Sequence, residues 1–306
     1  MKKSTLGLIS RILLGLIFIA SALLKYLSIE AMDMFLFEHR VLPWILTQFA
    51  VRLLIAFEAG LGVLLITGIK PRLTRLLTFI TIILFTIYLL LKPILFGATD
   101  ENCHCFGNYI HLNHIQSIIK NVIMLLLACM IHWSKGWHTR FSTLIMIVIA
   151  FLATAASLII YPPDVILTKI YPKHIEVNKE GFNELMQQEN VKQLNLETGK
   201  KVLCLYSTGC KYCKRNAIKL DVMIDRHNLN RQNFITIFWG SEKSLTKFHN
   251  DTKTKSLHST LVNPLLFLKA TKGKQPLIIF LNNGTIEQVF NNRTFNEEKL
   301  IEFLTK

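Results

Sequence analysis

The sequence is short of charge, and of acid in particular. Only 18% of its 306 residues are charged, with 20 Asp and Glu against 35 Lys and Arg, for a net charge of +15. It contains no internal repeat, no low-complexity tract, no dense basic run and no base-stacking motif. The positive excess is therefore no argument for nucleic acid as a partner. Cysteine is also scarce. The six cysteines form two close pairs, Cys103-His104-Cys105 and Cys210-Lys211-Tyr212-Cys213, with Cys129 and Cys204 standing alone. A second CxxC and a His-x-x-x-His are missing from the C-terminal part, so a zinc site at Cys210/Cys213 would lack two ligands. Apolar residues, in contrast, make up 51% of the chain. With a mean hydropathy of +0.37, the protein is too apolar to be wholly soluble.

The apolar residues are concentrated before residue 162, which divides the chain near Tyr161-Pro162-Pro163 into segments 1–161 and 162–306. Five runs in the first segment are long enough to cross a hydrocarbon core of roughly 30 Å: 5–27, 44–67, 73–96, 116–133 and 141–161. The fourth is short and the first two carry charges, so a four-helix count stays open beside the five adopted. Lys2 and Lys3, then Lys70, Arg72 and Arg75, then Lys135 and Arg140 fall in loops on one side. Alternate loops hold Glu30, Asp33 and Glu38, then Asp100 and Glu101, with Arg40 as the exception. The positive-inside rule puts the basic loops in the cytoplasm, and five spans then leave the C-terminal segment outside, on the face of the Cys103/Cys105 loop. The first run is too long, and lacks the cleavage site, for a removable signal peptide. Attraction to anionic membrane lipid or an acidic partner accounts for the remaining positive charge.

The clearest chemistry is in the C-terminal segment. A β-run, Val202 to Tyr206, leads through Ser-Thr-Gly into Cys210-Lys211-Tyr212-Cys213, which opens an amphipathic helix. A cysteine at a helix N-terminus has its thiolate stabilised by unpaired N–H groups, and the CxxC spacing brings the second sulfur within bonding reach. Cys210 is expected to be the exposed nucleophile and Cys213 the resolving thiol, with Lys211, Lys214 and Arg215 lowering the thiol pKa further. Half a zinc site and a structural disulfide are the alternatives. Downstream, a Pro-led β-run, an Asn-Gly hairpin turn and a second strand precede the helix NEEKLIEFLTK. Together, residues 175 to 306 resemble the thioredoxin superfamily, especially its exported, disulfide-handling branch. The resemblance implies an α/β thioredoxin-like domain with a cis-proline loop facing the CxxC, which Pro276 after Gln275 matches by position. A trans proline opening a strand is the alternative. Cys204 stands where thioredoxin has a buried acid, and reads as a small core residue or, less simply, a third redox thiol.

Three stretches of the N-terminal segment, RILLGLIFIASALLKYL, FEAGLGVLLITG and CHCFGNYI followed by IIKNVIMLLLA, resemble in that order the DoxX/MauE superfamily of small membrane proteins. The likeness spans roughly residues 5 to 133. The cysteine motif of the MauE-like branch usually reads Cys-Gly-Cys-Phe-Gly, so His104 replaces a glycine. Arg11, ~9 Å into the first span, and Glu58, ~13 Å from the end of the second, have similar depths and are expected to pair. Lys25, Lys92 and Lys120 read as snorkelling to the interface. Arg52, ~12 Å deep, is a candidate to stabilise a thiolate or a reduced quinone.

Cys103 and Cys105 read first as a redox pair, since a disulfide across one intervening residue is strained and labile. With His104, His111 and His114 they could instead supply zinc or copper ligands, or form an inert loop. No metal is assigned. Cys129, near the opposite face, reads as a packed residue, which disfavours electron import from the cytoplasm and favours flow along the outer face or into a membrane quinone. No cofactor motif is visible, and quinone is the one candidate cofactor.

The expectation is thus a membrane-anchored thiol-disulfide oxidoreductase. Its site residues are Cys210, Cys213, Pro276, Cys103 and Cys105, and its partners are membrane lipid, exported cysteine-containing clients and a redox partner in the membrane. The family resemblance implies a bacterial inner membrane, a periplasmic C-terminal domain and a task in maturing exported proteins, as in methylamine utilisation. A metal-binding assembly factor and a subunit of a quinol-oxidising complex are the competing classes.

Overall fold

The computed structural model describes residues 3–96, 103–134, 136, 140–170, 175–254 and 257–305. Lys2, Asp100, Glu101 and Lys135, used above for orientation, lie outside them. The chain divides into two compact units, Met1–His39 with Leu46–Pro163, and Arg40–Ile45 with Asp164–Lys306.

The first unit is helical: α1 (Lys3–Leu27), α2 (Ile29–Glu38), α3 (Trp44–Thr67), α4 (Pro71–Phe96), α5 (His114–Met130, with a 3-10 turn Ile131–Trp133) and α6 (Ser142–Ile160). Five of these, all but α2, are long and apolar enough to cross a membrane, and lie within a few residues of the expected runs. This is a multi-pass membrane protein. The short α2 falls in a stretch expected to be loop. It starts at once after Ser28, whose hydroxyl donates to the Leu24 carbonyl at the end of α1 (2.9 Å).

The bundle core is Leu14, Phe18, Leu61, Leu65, Ile82, Met124, Ala128 and Ile131. Helices α1 and α3 come close together where two glycines meet. A Cβ on Gly15 would stand 2.9 Å from the Gly62 carbonyl, and one on Gly62 would stand 2.8 Å from the Gly15 carbonyl. This contact sets the axial alignment of the two helices, and with it the charge pairs. Glu58, one turn from Gly62, pairs with Lys25 rather than with Arg11, and both partners are 2% exposed. The Lys25 side chain leans towards the N-terminus of its helix, as helical side chains do, and reaches back over Ser21. Lys25 is therefore a buried ion-pair partner, not a snorkelling residue. Lys92 is likewise buried, with its ammonium over the Phe35 ring at 5.3 Å. Arg11 lies at the other end of the crossing, its guanidinium against Gly68 just past α3, where helix-end carbonyls favour a cation. Arg52 does not face a thiol: it pairs with Asp33 of α2 and donates to the carbonyls of Gln48 (3.0 Å) and Tyr161 (3.1 Å). Cys129 is exposed on the outer surface of α5 and is not packed in the bundle.

The second unit continues with α7 (Asp164–Ile170), α8 (Lys179–Met186), α9 (Glu189–Lys192), β1 (Lys200–Ser207), α10 (Lys211–Arg226), β2 (Phe234–Trp239), α11 (Glu242–Thr252), β3 (His258–Leu261), α12 (Pro264–Thr271), β4 (Leu277–Asn282), β5 (Thr285–Phe290) and α13 (Glu297–Thr305). The sheet order is β3-β2-β1-β4-β5. Strands β1, β2 and β3 are parallel, while β4 runs antiparallel to β1 (Leu205 opposite Leu277) and β5 antiparallel to β4. Asn283 (φ +49°) and Gly284 (φ +78°) form the two-residue hairpin turn read from the sequence.

Alternation along β1 sorts its side chains into two layers. Leu203 and Leu205 pack with Phe182, Leu185 and Phe267 on one face. Tyr206 packs on the other against Phe238 and Phe248 (centroids 5.7 and 6.1 Å). With a mixed sheet covered by helices, this is an α/β unit resembling the thioredoxin-like fold.

Removing one partner of a buried ion pair leaves the other charge uncompensated, at a cost of roughly 3–5 kcal/mol. Arg52→Met should lower the thermal stability of the protein in detergent by that order, and adding Asp33→Leu should recover most of the loss. A double variant no more stable than the single one would show that the pair does not govern stability at this position.

Candidate active sites

Strand β1 delivers the chain to Cys210, which is the N-cap of α10 (φ −81°, ψ 118°). Its sulfur accepts the Cys213 backbone N–H at 3.2 Å, the place a Ser or Asp oxygen takes in an ordinary cap. Cys210 is partly exposed, and Cys213, one turn further, is fully buried. The hydrogen bond from the Cys213 thiol lowers the Cys210 pKa to about 6 against the opposing effect of burial, with the Cys213 and Tyr212 amides adding to it. Burial and that same thiol contact push Cys213 upward. Two of the three neighbouring cations expected to lower the Cys210 pKa are engaged elsewhere, and none of the three is among the causes of the shift. Lys214 pairs with Asp251 (2.6 Å) and Arg215 lies over the Tyr212 ring (5.7 Å). Local hydrogen bonds do this work instead.

The Gln275–Pro276 bond is cis. Pro276 immediately precedes β4, whose start lies opposite the end of β1, so register puts it at the same end of the sheet as Cys210. Cys204 is fully buried on β1 between Thr236 and Ile278, and burial holds its thiol protonated, with a pKa of about 12. Beside it Tyr206 donates to Asn216 (2.6 Å) in a buried polar contact that the sequence reading missed.

In the membrane unit, Cys103 and Cys105 lie in the segment between α4 and α5, both buried against Leu89, Tyr88, Phe106 and Leu112. His104 between them has φ +52°, a left-handed conformation in which glycine carries no steric cost, and its ring packs on Phe35 (centroids 4.3 Å). That turn lets the Cys105 N–H reach the Cys103 sulfur at 3.3 Å. The Cys105 thiol's hydrogen bond lowers the Cys103 pKa to about 5 against burial, helped by the Ser117 hydroxyl, the Cys105 amide and the Lys120 charge. Cys105 is pushed upward by that hydrogen bond and by burial, opposed by Lys120 and Lys25. The two pairs thus share one division of labour: an acidic first cysteine and a protonated, buried second one.

The loop is held to α1 at two points. Ser21 donates to the Cys105 carbonyl (2.8 Å), and Ser28 accepts the Asn108 N–H (3.2 Å). Gly107 (φ +63°) sits so close to α1 that a Cβ would stand 2.7 Å from the Leu24 carbonyl and collide with the Ser28 hydroxyl. The histidines do not gather with the cysteines. Among the described residues no three His, Cys, Asp or Glu groups stand close enough to hold a metal ion.

Three outcomes are expected. Alkylation of Cys210 should follow a pH midpoint near 6, against about 8.5 for a free thiol. Because its pKa is lowered on folding, reduced Cys210 adds stability that is complete above the unfolded value near 9 and is lost as pH falls through 6. The stability gap between the reduced protein and Cys210→Ser should therefore narrow between those limits. Gly107→Ala combines a strained φ with a backbone clash, and should cost about 1–3 kcal/mol and speed Cys103 alkylation at pH 7 as the loop leaves α1. A midpoint above 8, or unaltered Cys103 reactivity, would contradict the respective arrangement.

Residues 3–134 match the family described as methylamine utilisation protein MauE. The whole chain is similar to Protein TlpB of Flavobacterium psychrophilum, at 24% identity over 99% of this chain and 95% of that one. A secreted Mycobacterium tuberculosis disulfide oxidoreductase homologous to E. coli DsbE aligns with 38% of this chain and 85% of its own at 14% identity. Its TM-score is 0.30, too low to bear on the fold, which rests on the sheet order and registers. Residues 3–134 are thus similar to the MauE family, and the α/β unit that follows resembles the thioredoxin-like fold, with a CxxC at the head of its first long helix.

Proposed function

We propose that the protein is a membrane-anchored thiol-disulfide oxidoreductase in which the CxxC of the thioredoxin-like domain exchanges electrons with the CxC of the membrane domain. The observation that carries this reading is the acidic Cys210 at a helix N-cap above a buried, protonated Cys213. Stabilising the thiolate favours the dithiol over the disulfide, which makes the pair an oxidant of client thiols. A client thiolate attacks Cys210 of the 210–213 disulfide and Cys213 leaves as thiolate. The second client thiolate then attacks the client sulfur of the mixed disulfide and expels Cys210. The client gains a disulfide, and two electrons remain on the CxxC. Pro276 helps position the client backbone beside Cys210.

The Cys103–Cys105 disulfide takes those electrons in the same two steps, with Cys210 as attacking thiolate and Cys213 resolving. Strain across a one-residue spacing and the acidity of Cys103 both favour its reduction. A two-electron acceptor dissolved in the bilayer, of the quinone class, returns the CxC to the disulfide. The clients are exported cysteine-containing proteins, and maturation of such proteins is the biological task. This direction of flow suits a bacterial inner membrane with the C-terminal domain on the periplasmic side.

A Cys213→Ser variant in native membranes leaves any mixed disulfide on Cys210 unresolved. Non-reducing gels and peptide mapping should find Cys210 joined to Cys103 or Cys105 in addition to clients. Capture of clients alone, with both loop cysteines free, would leave a tethered thioredoxin-like protein and refute the exchange.

A further inference from the structure

When Cys105 resolves a mixed disulfide on Cys103 it must first lose its proton, and it is only 7% exposed. Beneath it is a cavity of about 30 Å³, lined with Cys105 by Ser21, Lys25, Glu58, Lys120 and Asn121. That is room for one or two waters. The titratable groups facing this space are Lys25 from α1, Glu58 from α3, Lys120 from α5 and Cys105 itself, while α4 contributes Thr81 and Phe85, neither of which titrates in this range. Of these only Glu58 carries a negative charge and can receive a proton.

Its surroundings hold it against the cysteine loop. One carboxylate oxygen of Glu58 accepts from Lys25 and the other accepts from the Ser21 hydroxyl at 3.0 Å, and the same hydroxyl reaches the Cys105 carbonyl at 2.8 Å. Ser21 therefore ties the Glu58 carboxylate to the backbone of the cysteine loop, while the Cys105 thiol and the carboxylate share the cavity that both line. We propose that Glu58, positioned by Ser21 and reached across the cavity that it lines together with Cys105, is the proton acceptor for Cys105 in the disulfide-forming step of the membrane pair. Once Cys103 is tied up as a mixed disulfide, the hydrogen bond that Cys105 gives it is gone, and Lys25 and Lys120 favour the Cys105 thiolate. The Cys105 sulfur attacks Cys103, the 103–105 bond forms, the mixed disulfide breaks, and the electron pair leaves on the departing thiolate. In the direction of flow proposed above the step runs in reverse: Cys210 attacks Cys103, Cys105 leaves as thiolate, and Glu58 returns the proton to it.

This inference rests on Cys103 and Cys105 being an exchanging pair, and its test isolates them. In full-length protein bearing Cys129→Ser, Cys210→Ser and Cys213→Ser, an aromatic disulfide, 5,5′-dithiobis(2-nitrobenzoate), serves as probe. Cys103 releases one thionitrobenzoate on attack, and Cys105 releases a second on resolving. Cys204 is buried and protonated, and stays silent. Glu58→Gln should slow the second phase at pH 7 by roughly 10²-fold, the usual scale for a lost acid–base group. It should leave the first phase unchanged and recover as pH rises. Ser21→Ala, which keeps the ion pair, should slow the same phase alone. Lys25→Gln with Glu58→Gln removes both charges together and covers the case in which the single variant does not fold.

A second phase that keeps its rate and pH profile in Ser21→Ala and in the charge-free double variant overturns the proposal. So does equal slowing of both phases, which would mark a structural role only. Absence of any second release in the parent would refute the exchanging pair itself. Trapping that fails in membranes while the two-phase release persists would refute exchange with the CxxC and leave the proton route standing.

Discussion

A sulfur atom that must be a thiolate near neutral pH, yet stay out of water, needs hydrogen-bond donors fixed by the backbone. Both cysteine pairs share one such backbone contact, the amide of the second cysteine directed at the sulfur of the first, at 3.2 Å in the CxxC and 3.3 Å in the CxC, beside the larger effect of the second thiol's own hydrogen bond. The contact is made twice by different means. At Cys210 it comes from the first turn of a helix, whose N–H groups have no partner within the helix. At Cys103 no helix begins, and the same approach depends on one left-handed residue, His104. The CxC therefore gains with a strained turn what the CxxC gains from regular structure.

The strained turn explains what supports it. A loop with a left-handed non-glycine residue needs outside restraint, and α1 provides it through Ser21, Ser28 and the glycine approach at Gly107. Lys25 lies on the same stretch of α1 and pairs with Glu58 of α3. Charges in a bilayer are kept only where they are paired or functional. This pair is costly in lipid, and it stands at the one place where a thiol must exchange a proton away from water. The Arg52–Asp33 pair has no thiol beside it and ties α2 to α3 instead.

Much of this was legible in the sequence. Apolar run length located the five spans, because nothing shorter satisfies the backbone in lipid. The hairpin turn was readable because Asn-Gly is one of few pairs that tolerates positive φ at both positions. The N-cap position of Cys210 followed from a β-run meeting an amphipathic helix. The charge pairing in the bundle was not legible. Depth counted from span ends put Arg11 level with Glu58, but the register of two helices is set by side-chain volume where they cross, here at Gly15 and Gly62. Lys25 reads as a snorkelling residue from the sequence because its position near a helix end fits that role. The lean of helical side chains towards the N-terminus turns it inward instead. Lys211, Lys214 and Arg215 misled for a related reason: proximity in sequence is not proximity to the sulfur, and in water their charges are screened or paired.

The presence of His104 where the related motif has glycine now has a physical reading. Glycine would hold the same turn with less strain, but it would contribute nothing to α2. The histidine ring packs on Phe35, which itself lies under the Lys92 ammonium, so the cysteine loop and α2 are joined through one aromatic stack. The backbone strain of a left-handed residue, of order 1–2 kcal/mol, is set against a ring contact of about 0.5–1.5 kcal/mol. The two nearly cancel. The substitution thus changes little in stability while coupling the position of Cys103 and Cys105 to a helix that a glycine-containing loop would leave free. In this chain α2 is a structural partner of the redox loop, and the Arg52–Asp33 pair that anchors α2 acts on the cysteines at one remove.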